Sequence, residues 1–346
     1  MRFYDLILAD SAGNVFKPTN DGLGFKKSAG GSTFTSWVNG KNNPGALHID
    51  FDVPAAPLNQ AQGSAKIAVY GVGLGMIGQA SDLNGQTLTL SAGMKPGLPL
   101  ATAAAAQSGL ILQGTIFQAF GNWQGTTQTL ELVVSPPASQ QDLKPIPSIL
   151  WPAKQPLATA LFSTLQQAFA KFGMKANVNI ANITQPVDGS HQYSTLSQLS
   201  DYIQQKSQEL GKPSYDTPDK EYSGVQIKIV GNTIYAYDNQ ATASPKQLAF
   251  TDLIGQPTWI SPGTVSFKTV LRSDIALGDY IQFPAKGLVA PYVLTSQAAA
   301  YPNTPARSKT AFQGQFWVTR VQHFASFRQP DADAWCTSFE AAALSP

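Results

Sequence analysis

Apolar and polar residues alternate along the first 135 positions, which is the pattern of half-buried β-strands. The alternation is clearest in residues 47–53, where four apolar residues share one face and His48, Asp50 and Asp52 the other. Gly, Asn and Pro separate such runs, so this part predicts a β-barrel or sandwich of short strands. The predicted strands are residues 4–9, 33–38, 47–53, 65–70, 87–91, 110–120 and 129–134.

The pattern changes after a segment rich in Pro and Gln, residues 136–150, which predicts a linker because closely spaced prolines cannot pair in a sheet. Residues 157–172 place apolar side chains at helical spacing and stop at Gly173. A second helix is predicted over residues 195–210, with Thr195 and Gln198 as a capping box and Gly211 at its end.

Two alternating runs, residues 225–230 and 233–237, flank Gly231 and Asn232 and predict a β-hairpin with a two-residue turn. A further strand is expected over residues 175–181. Residues 151–252 therefore predict a small α+β domain.

From residue 253 onward the chain alternates again, over residues 265–270, 280–283, 315–324 and 335–341. The expected fold class is mainly β, with two small β-barrel domains that flank a helix-containing insert. The expected domains are residues 1–135 and 253–346 for the barrels, 136–150 for the linker and 151–252 for the α+β domain. The sequence itself shows no repeat between the two β segments.

Charge and composition exclude some classes of function. Charged residues make up 13% of the chain, against about 25% in typical domains, and the formal net charge is +2. Lys26-Lys27 is the densest basic pair, so the electrostatic footprint of a nucleic-acid-binding surface is missing. The N-terminus alternates like a strand rather than a signal peptide, and no membrane span is expected.

Metal and nucleotide sites are not expected. Cys336 is the one cysteine, and it is expected to be a small buried hydrophobic residue within a strand. His48, His191 and His323 are far apart in sequence, which argues against a Cys/His zinc site. His323 is expected to be a half-exposed strand residue.

The sequence Gly73-Leu-Gly75-Met-Ile-Gly78 matches G-x-G-x-x-G after a strand. It lacks the crossover helix and the acidic residue about 20 positions on that a dinucleotide site needs. A short helical turn between two strands is the expected structure.

Other polar groups also have simpler interpretations than catalysis. Asp188, His191 and Ser194 lie close in sequence, but in an apparent loop that lacks the rigid frame of a catalytic triad. Asp50 and Asp52 lack the rest of a calcium loop. The pair Asp331 and Asp333 is typical of a hairpin tip.

The six tryptophans could stack on sugars, but core or subunit-interface positions are their commoner use. They are Trp37, Trp123, Trp151, Trp259, Trp317 and Trp335.

Two groups of sequence strings resemble the baseplate hub proteins of contractile-tailed phages. One group resembles the first β domain of that family: ASDLNG (80–85), LTLSAGM (88–94), GLPL (97–100), GTI (114–116) and GNWQG (121–125). The other resembles its second β domain: LIGQPTW (253–259), VSFKTVLR (265–272), LGDYI (277–281) and FWVTRVQH (316–323). The order of β, α+β and β segments is also similar. The resemblance covers most of the chain, but its strings are turns and strands rather than a catalytic signature.

The resemblance implies a structural subunit in the virion tail baseplate, assembled in the host cytoplasm. Two tube-like β-barrels per chain would let a homotrimer form a pseudo-six-fold ring between a hexameric tail tube and a trimeric central spike. The tape-measure protein, other baseplate subunits and, by passage through the lumen, DNA would be its partners. No catalytic residue, cofactor, metal or membrane contact is expected. A carbohydrate-binding β module or a tail accessory or adhesin protein remains the alternative.

If β edges pair between subunits in a ring, the free chain has unpaired strand edges. Such edges are expected to lack the charged residues that normally prevent pairing. Residues 110–116 and 129–134 contain almost no Lys or Glu and are expected to be such edges.

Overall fold

The structure is a computed structural model that describes residues 1–60, 63–95, 107–135, 148–211, 222–240, 244–261, 263–284, 288 and 312–344. The predicted linker lies mostly outside the described residues, at 136–147, and its last positions enter a strand.

The first β unit contains every strand predicted before residue 135. Three strands that the pattern did not reveal, over residues 14–18, 25–29 and 41–42, are short and carry lysines. A short helix, α1 (Leu74–Gly78), and a 3-10 turn, Ala80–Leu83, connect the eighth strand to the ninth. The strands are β1 (Arg2–Ala9), β2 (Asn14–Pro18), β3 (Phe25–Ala29), β4 (Phe34–Thr35), β5 (Trp37–Val38), β6 (Lys41–Asn42), β7 (His48–Ala55), β8 (Ala65–Tyr70), β9 (Thr87–Met94), β10 (Gly109–Gln124) and β11 (Thr127–Val134).

The α+β unit contains both predicted helices, α2 (Leu157–Phe169), extended by a 3-10 turn to Phe172, and α3 (Leu196–Leu210). Thr195 caps α3, since its Oγ1 accepts from the N–H of Gln198 at 3.1 Å, while the Gln198 side chain accepts from the N–H of Ser194. The predicted hairpin is present, with Val230 paired to Thr233. The strands are β12 (Ile149–Trp151), β13 (Lys175–Asn179), β14 (Gly189–His191), β15 (Gln226–Val230) and β16 (Thr233–Tyr237).

The second β unit also contains its predicted strands. A 3-10 turn, Ala332–Ala334, joins the last two strands, so Asp331 and Asp333 lie at a hairpin tip as predicted. The strands are β17 (Lys246–Gln247), β18 (Thr258–Ser261), β19 (Thr264–Val270), β20 (Tyr280–Gln282), β21 (Gln315–Ser326) and β22 (Trp335–Ala343). The predicted mainly-β fold with an α+β insert is confirmed.

The two β units share one strand order. In the first unit the hydrogen-bonded order is β7-β8-β11-β10-β9, and in the second it is β18-β19-β22-β21-β20. When the five strands of each unit are numbered in chain order, both units place them side by side in the order first, second, fifth, fourth, third. A shared order across five strands is an internal repeat that the sequence does not display.

Hydrogen bonds at the start of the third repeat strand agree in register as well as in order. A glycine in the left-handed region, with φ of 77° in both cases, precedes that strand. Its N–H donates to the fourth strand, and the same residue of the fourth strand donates back to the position after the glycine. The bonds are Gly85 N to Ile116 O at 2.8 Å and Ile116 N to Gln86 O at 2.9 Å, against Gly278 N to Val318 O at 2.8 Å and Val318 N to Asp279 O at 2.9 Å.

This match fixes which residues correspond between the units. Ile116 pairs with Val134 and Val134 with Ala65, while Val318 pairs with Ala341 and Ala341 with Val265. Both three-residue rows are buried, and in both units the ladder shifts register directly after Ile116 or Val318. Position 116 therefore corresponds to position 318, and the strands can be compared residue by residue.

Buried side chains form one cluster for each unit. Trp335, Ala325 and Leu271 come from the second unit but pack in the cluster of the first. Since burial of apolar surface stabilises by roughly 25 cal/mol per Å², these residues tie the two β units together.

Candidate subunit interface

A strand pair within the chain joins the two β units into one sheet. β7 of the first unit pairs antiparallel with the second half of β21, from Ala55 opposite Val321 to Asp50 opposite Ser326. The Gln322 side chain also donates to the Asp52 carboxylate across this pair, at 2.8 Å. We call the pair the β7–β21 junction.

Aromatic packing supports the β7–β21 junction from one side. The indole N–H of Trp335 donates to the Gly93 carbonyl at 3.1 Å, and its ring lies edge-on to Phe51 with centroids 5.7 Å apart. The Arg2 guanidinium donates to the carbonyls of Ser326 and Phe327 at 3.1 and 3.2 Å. The junction is thus a packed contact held by hydrogen bonds and aromatic packing.

His323 lies in the β7–β21 junction, opposite Val53. Its side chain is buried, and the expectation of a half-exposed residue is therefore wrong. β21 lies in the interior of the sheet, between β7 and β22. His323 Nδ1 and Thr337 Oγ1 form a hydrogen bond at 2.9 Å. Burial lowers the pKa of His323 to about 4, so the imidazole is neutral at pH 7.

The strand edges that correspond to the junction elsewhere in the repeat are open. By the register above, residues 119–124 of β10 correspond to residues 321–326 of β21, and β18 corresponds to the end of β7 that begins at Asp52. Among the described residues, 120–124 pair only with β11, and β18 pairs only with β19.

Apolar side chains are exposed at both open edges. Phe120 and Trp123 of β10 are 40% and 63% exposed, and Ile260 of β18 is 53% exposed. In β21, the corresponding residues of the closed junction are buried or half-buried. An exposed apolar strand edge is the usual mark of a surface that pairs with another chain.

Charge distinguishes these open edges from the far end of the sheet. β3, the terminal strand of the first unit, carries Lys26 and Lys27, and Lys27 forms an ion pair with Asp10 at 3.0 Å. Neither residues 119–124 nor β18 contain a charged residue. Since lysine protects edge strands against pairing, β3 is guarded and the other two edges are not.

The expectation that residues 129–134 form an edge is wrong, whereas residues 110–115 pair with β9 on one side and, among the described residues, with no strand on the other. The first half of β10 lies beside β9, and β11 lies between β10 and β8. The low charge of β11 reflects burial in the interior of the sheet, since Leu130 and Leu132 are at most 1% exposed.

Close backbone packing explains the G-x-G-x-x-G sequence. α1 has five residues, and a Cβ on Gly73 or Gly75 would lie about 2 Å from the carbonyl oxygen of Gly22 or Leu23. The two glycines therefore let the loop between β2 and β3 approach α1. The predicted short helical turn is confirmed.

Asp188, His191 and Ser194 each interact with other groups. Asp188 accepts from the N–H of Ala153 at 2.7 Å, and the His191 ring lies 4.6 Å from that of Tyr202. The Ser194 N–H donates to Gln198 at the start of α3. The apparent loop contains a strand, β14, paired with β12, and its residues serve local structure.

The carboxylates of β7 also have structural partners. Asp50 accepts from the Tyr70 hydroxyl at 2.9 Å and lies 3.2 Å from His48 Nε2. Within the described part of the chain, no three His, Cys, Asp or Glu side chains come together as a metal site. Cys336 is buried as predicted, and burial raises the pKa of its thiol.

A cavity of about 400 Å³ lies between the α+β unit and the second β unit. Lys228 lines it, donates to the Leu277 carbonyl and lies 5.0 Å from the centre of the Tyr237 ring. Burial lowers the pKa of Lys228 to about 8. Lys246, also at the cavity, is paired with Asp279 of the same β unit at 2.7 Å, so the contact between the units here is the Lys228 hydrogen bond to Leu277.

The tryptophans divide between core and edge. Trp151, Trp317 and Trp335 are buried and cannot stack on a sugar, whereas Trp123 lies at the open edge of β10. In the described residues, no helix has the length and apolar character to cross a membrane.

No protein-family model and no curated protein matches the chain. Solved structures are similar to it. A type VI secretion component from E. coli, c3393, described as structurally similar to the T4 phage tail proteins gp27 and gp5, has a TM-score of 0.46 at 12% identity, covering 89% of this chain and 76% of that one.

Two tail proteins are also similar. One from Neisseria meningitidis MC58 has a TM-score of 0.47 at 8% identity over 98% of this chain and 96% of its own. The 43 kDa tail protein of prophage MuSo2 from Shewanella oneidensis has a TM-score of 0.45 at 8% identity over 88% and 94%. At this level of similarity they carry no argument about function.

Proposed function

We propose that this chain is a structural subunit of a phage-type tail baseplate, in which three copies form a pseudo-six-fold ring. The observation that carries the proposal is the internal repeat: two five-stranded units with the same strand order and register in one chain. Three chains with two equivalent units each supply six similar segments, which match a six-fold tube on one side and a three-fold spike on the other.

The open edges support assembly rather than a free monomer. An uncharged apolar edge in each β unit favours strand pairing with another copy, and closed symmetry then removes every such edge. The domains predicted from sequence, 1–135, 151–252 and 253–346, would be the first barrel, the insert and the second barrel of each subunit.

The proposed partners are those of a tube-to-spike adaptor: a tail tube protein, a central spike protein, the tape-measure protein and neighbouring baseplate subunits. DNA would pass through the lumen without a dedicated site. The sequence resemblance to baseplate hub proteins supports these assignments, as does the low charge of the chain. The proposal includes no catalytic step and no cofactor.

Light scattering coupled to size-exclusion chromatography tests the proposal. The chain has a mass of 36.8 kDa, and the proposal predicts a species of three times that mass, formed alone or on addition of a tube or spike partner. A chain that stays monomeric at high concentration under both conditions would contradict it. Binding of such a monomer to glycans would favour the carbohydrate-binding alternative.

A further inference from the structure

We infer that the ring closes by pairing β18 of one copy with residues 119–124 of β10 in the next copy, in the register of the β7–β21 junction. This inference rests on the proposed function. It specifies which edges meet, in which direction and with which residues opposite each other, whereas the proposed function requires only that three copies associate.

The internal repeat carries the inference. β7 is the first repeat strand of the first unit and pairs with the second half of β21, the fourth repeat strand of the second unit. Repeating that relation one step further places β18, the first repeat strand of the second unit, against the second half of β10. Both edges that this step requires lack a partner strand among the described residues.

The register follows from the correspondence between the units. Within the chain, Gln322 is opposite Pro54 and Phe324 is opposite Asp52. The corresponding residues place Asn122 opposite Thr258 of the next copy and bring Phe120 beside Ile260, where β18 has a bulge between Trp259 and Ser261. The strands run antiparallel, as β7 and β21 do.

The side chains at these positions fit one another. Phe120 and Ile260 are exposed apolar residues, and the pairing would bury them against each other. Asn122 and Thr258 are neutral hydrogen-bonding side chains. No charge is brought into the new interface, since neither edge contains one.

The geometry also fixes the symmetry of the contact. β18 and β10 are different surfaces, so the contact is head-to-tail and closes only by rotation. A pair of copies joined through β18 would still leave one β18 and one β10 edge open. Each copy added repeats the in-chain step, and the ring ends when the last open β18 meets the first open β10.

Disulfide cross-linking tests the register. Facing residues of antiparallel strands have Cα atoms about 4.5–5.5 Å apart, within the range that a disulfide spans. We would combine Asn122→Cys and Thr258→Cys with Cys336→Ala, oxidise the full chain, and run denaturing gels without reductant beside light scattering of the intact sample. Covalent species of up to three chains, and none larger, are expected.

The matched control combines Asn122→Cys with Ser261→Cys, which lies two ladder positions beyond Thr258, about 7 Å further along the strand at roughly 3.3 Å per position. It should give no cross-link. A trimer by light scattering that cross-links only in the control, or in neither variant, would overturn the register and leave the proposed function standing. Covalent dimers alone would show a symmetric contact and overturn the inference. A chain that stays monomeric in both measurements, alone and with a tube or spike partner, would overturn both proposals.

Discussion

Single residues in the β7–β21 junction show how polar groups are accommodated within a buried contact. His323 bonds to Thr337, whose Oγ1 also accepts from the N–H of Arg272 at 3.2 Å. Arg272 is buried and donates to Asp274 at 2.7 Å and to Asp252 at 3.1 Å. A buried charge needs such partners, because removing one leaves the other uncompensated, at a cost of about 3–5 kcal/mol.

The pKa of His323 predicts a pH-dependent stability. It is about 4 in the folded protein, against about 6.5 in an unfolded chain. Between these values the unfolded chain binds a proton that the folded chain does not, so the stability falls as the pH decreases from 6.5 to 4. The loss should approach about 3 kcal/mol at pH 4, from about 1.4 kcal/mol per pH unit.

Urea unfolding at several pH values, on the wild type and on His323→Asn, checks this. Asparagine can bond to Thr337 but does not titrate, so the variant should lose part of the fall in stability between pH 6.5 and 4. Equal pH dependence in the two proteins would show that His323 is not responsible.

Local sequence patterns predicted the environment of some residues, but not that of His323. The cap at Thr195, the turn at Gly231 and the burial of Cys336 depend on neighbours in the chain or on strand alternation, and all were predicted. The burial of His323 depends on β7, about 270 positions earlier, and no local pattern shows that contact.

At the scale of elements, β10 is the least predictable strand. The sequence predicted a strand over residues 110–120, and the structure extends it to Gln124. Its first half lies beside β9, and its second half pairs with β11 and has an open edge. Alternation identifies a strand but not its neighbours, so it could not show that the two halves of β10 have different strand partners.

The two halves of β10 should respond differently to a lysine. Phe120→Lys adds a charge to an exposed open edge, so it should weaken association at least tenfold and leave the unfolding midpoint nearly unchanged. Leu112→Lys places a charge at a buried position of the half that pairs with β9, and it should lower stability by several kcal/mol. Thermal unfolding and light scattering separate the two effects.

Phe162→Lys serves as the matched control, since Phe162 is exposed on α2, away from both open edges. It should change neither stability nor association. If Phe120→Lys associates like the wild type, the open edge of β10 is not part of the interface.

At the scale of the molecule, the two β units form one sheet through the β7–β21 junction, and the α+β unit packs as a separate cluster. The sequence predicted the order of β, α+β and β segments because strand and helix periods differ. It did not reveal the repeat, because two units can share the order and register of five strands while different residues occupy corresponding positions. Ile116 and Val318 are such a pair. The proposed contact between chains has the same strand pairing as the β7–β21 junction within the chain.

Electron microscopy of the assembled, purified protein tests the central claim most directly. Closed rings are expected in views along the axis, with a central opening, three copies and six similar β lobes around it. Around the ring, contacts between neighbouring lobes would alternate: one within a chain, the next between two chains. Rings of another copy number, open filaments, or three copies whose β units lie in different environments would contradict it.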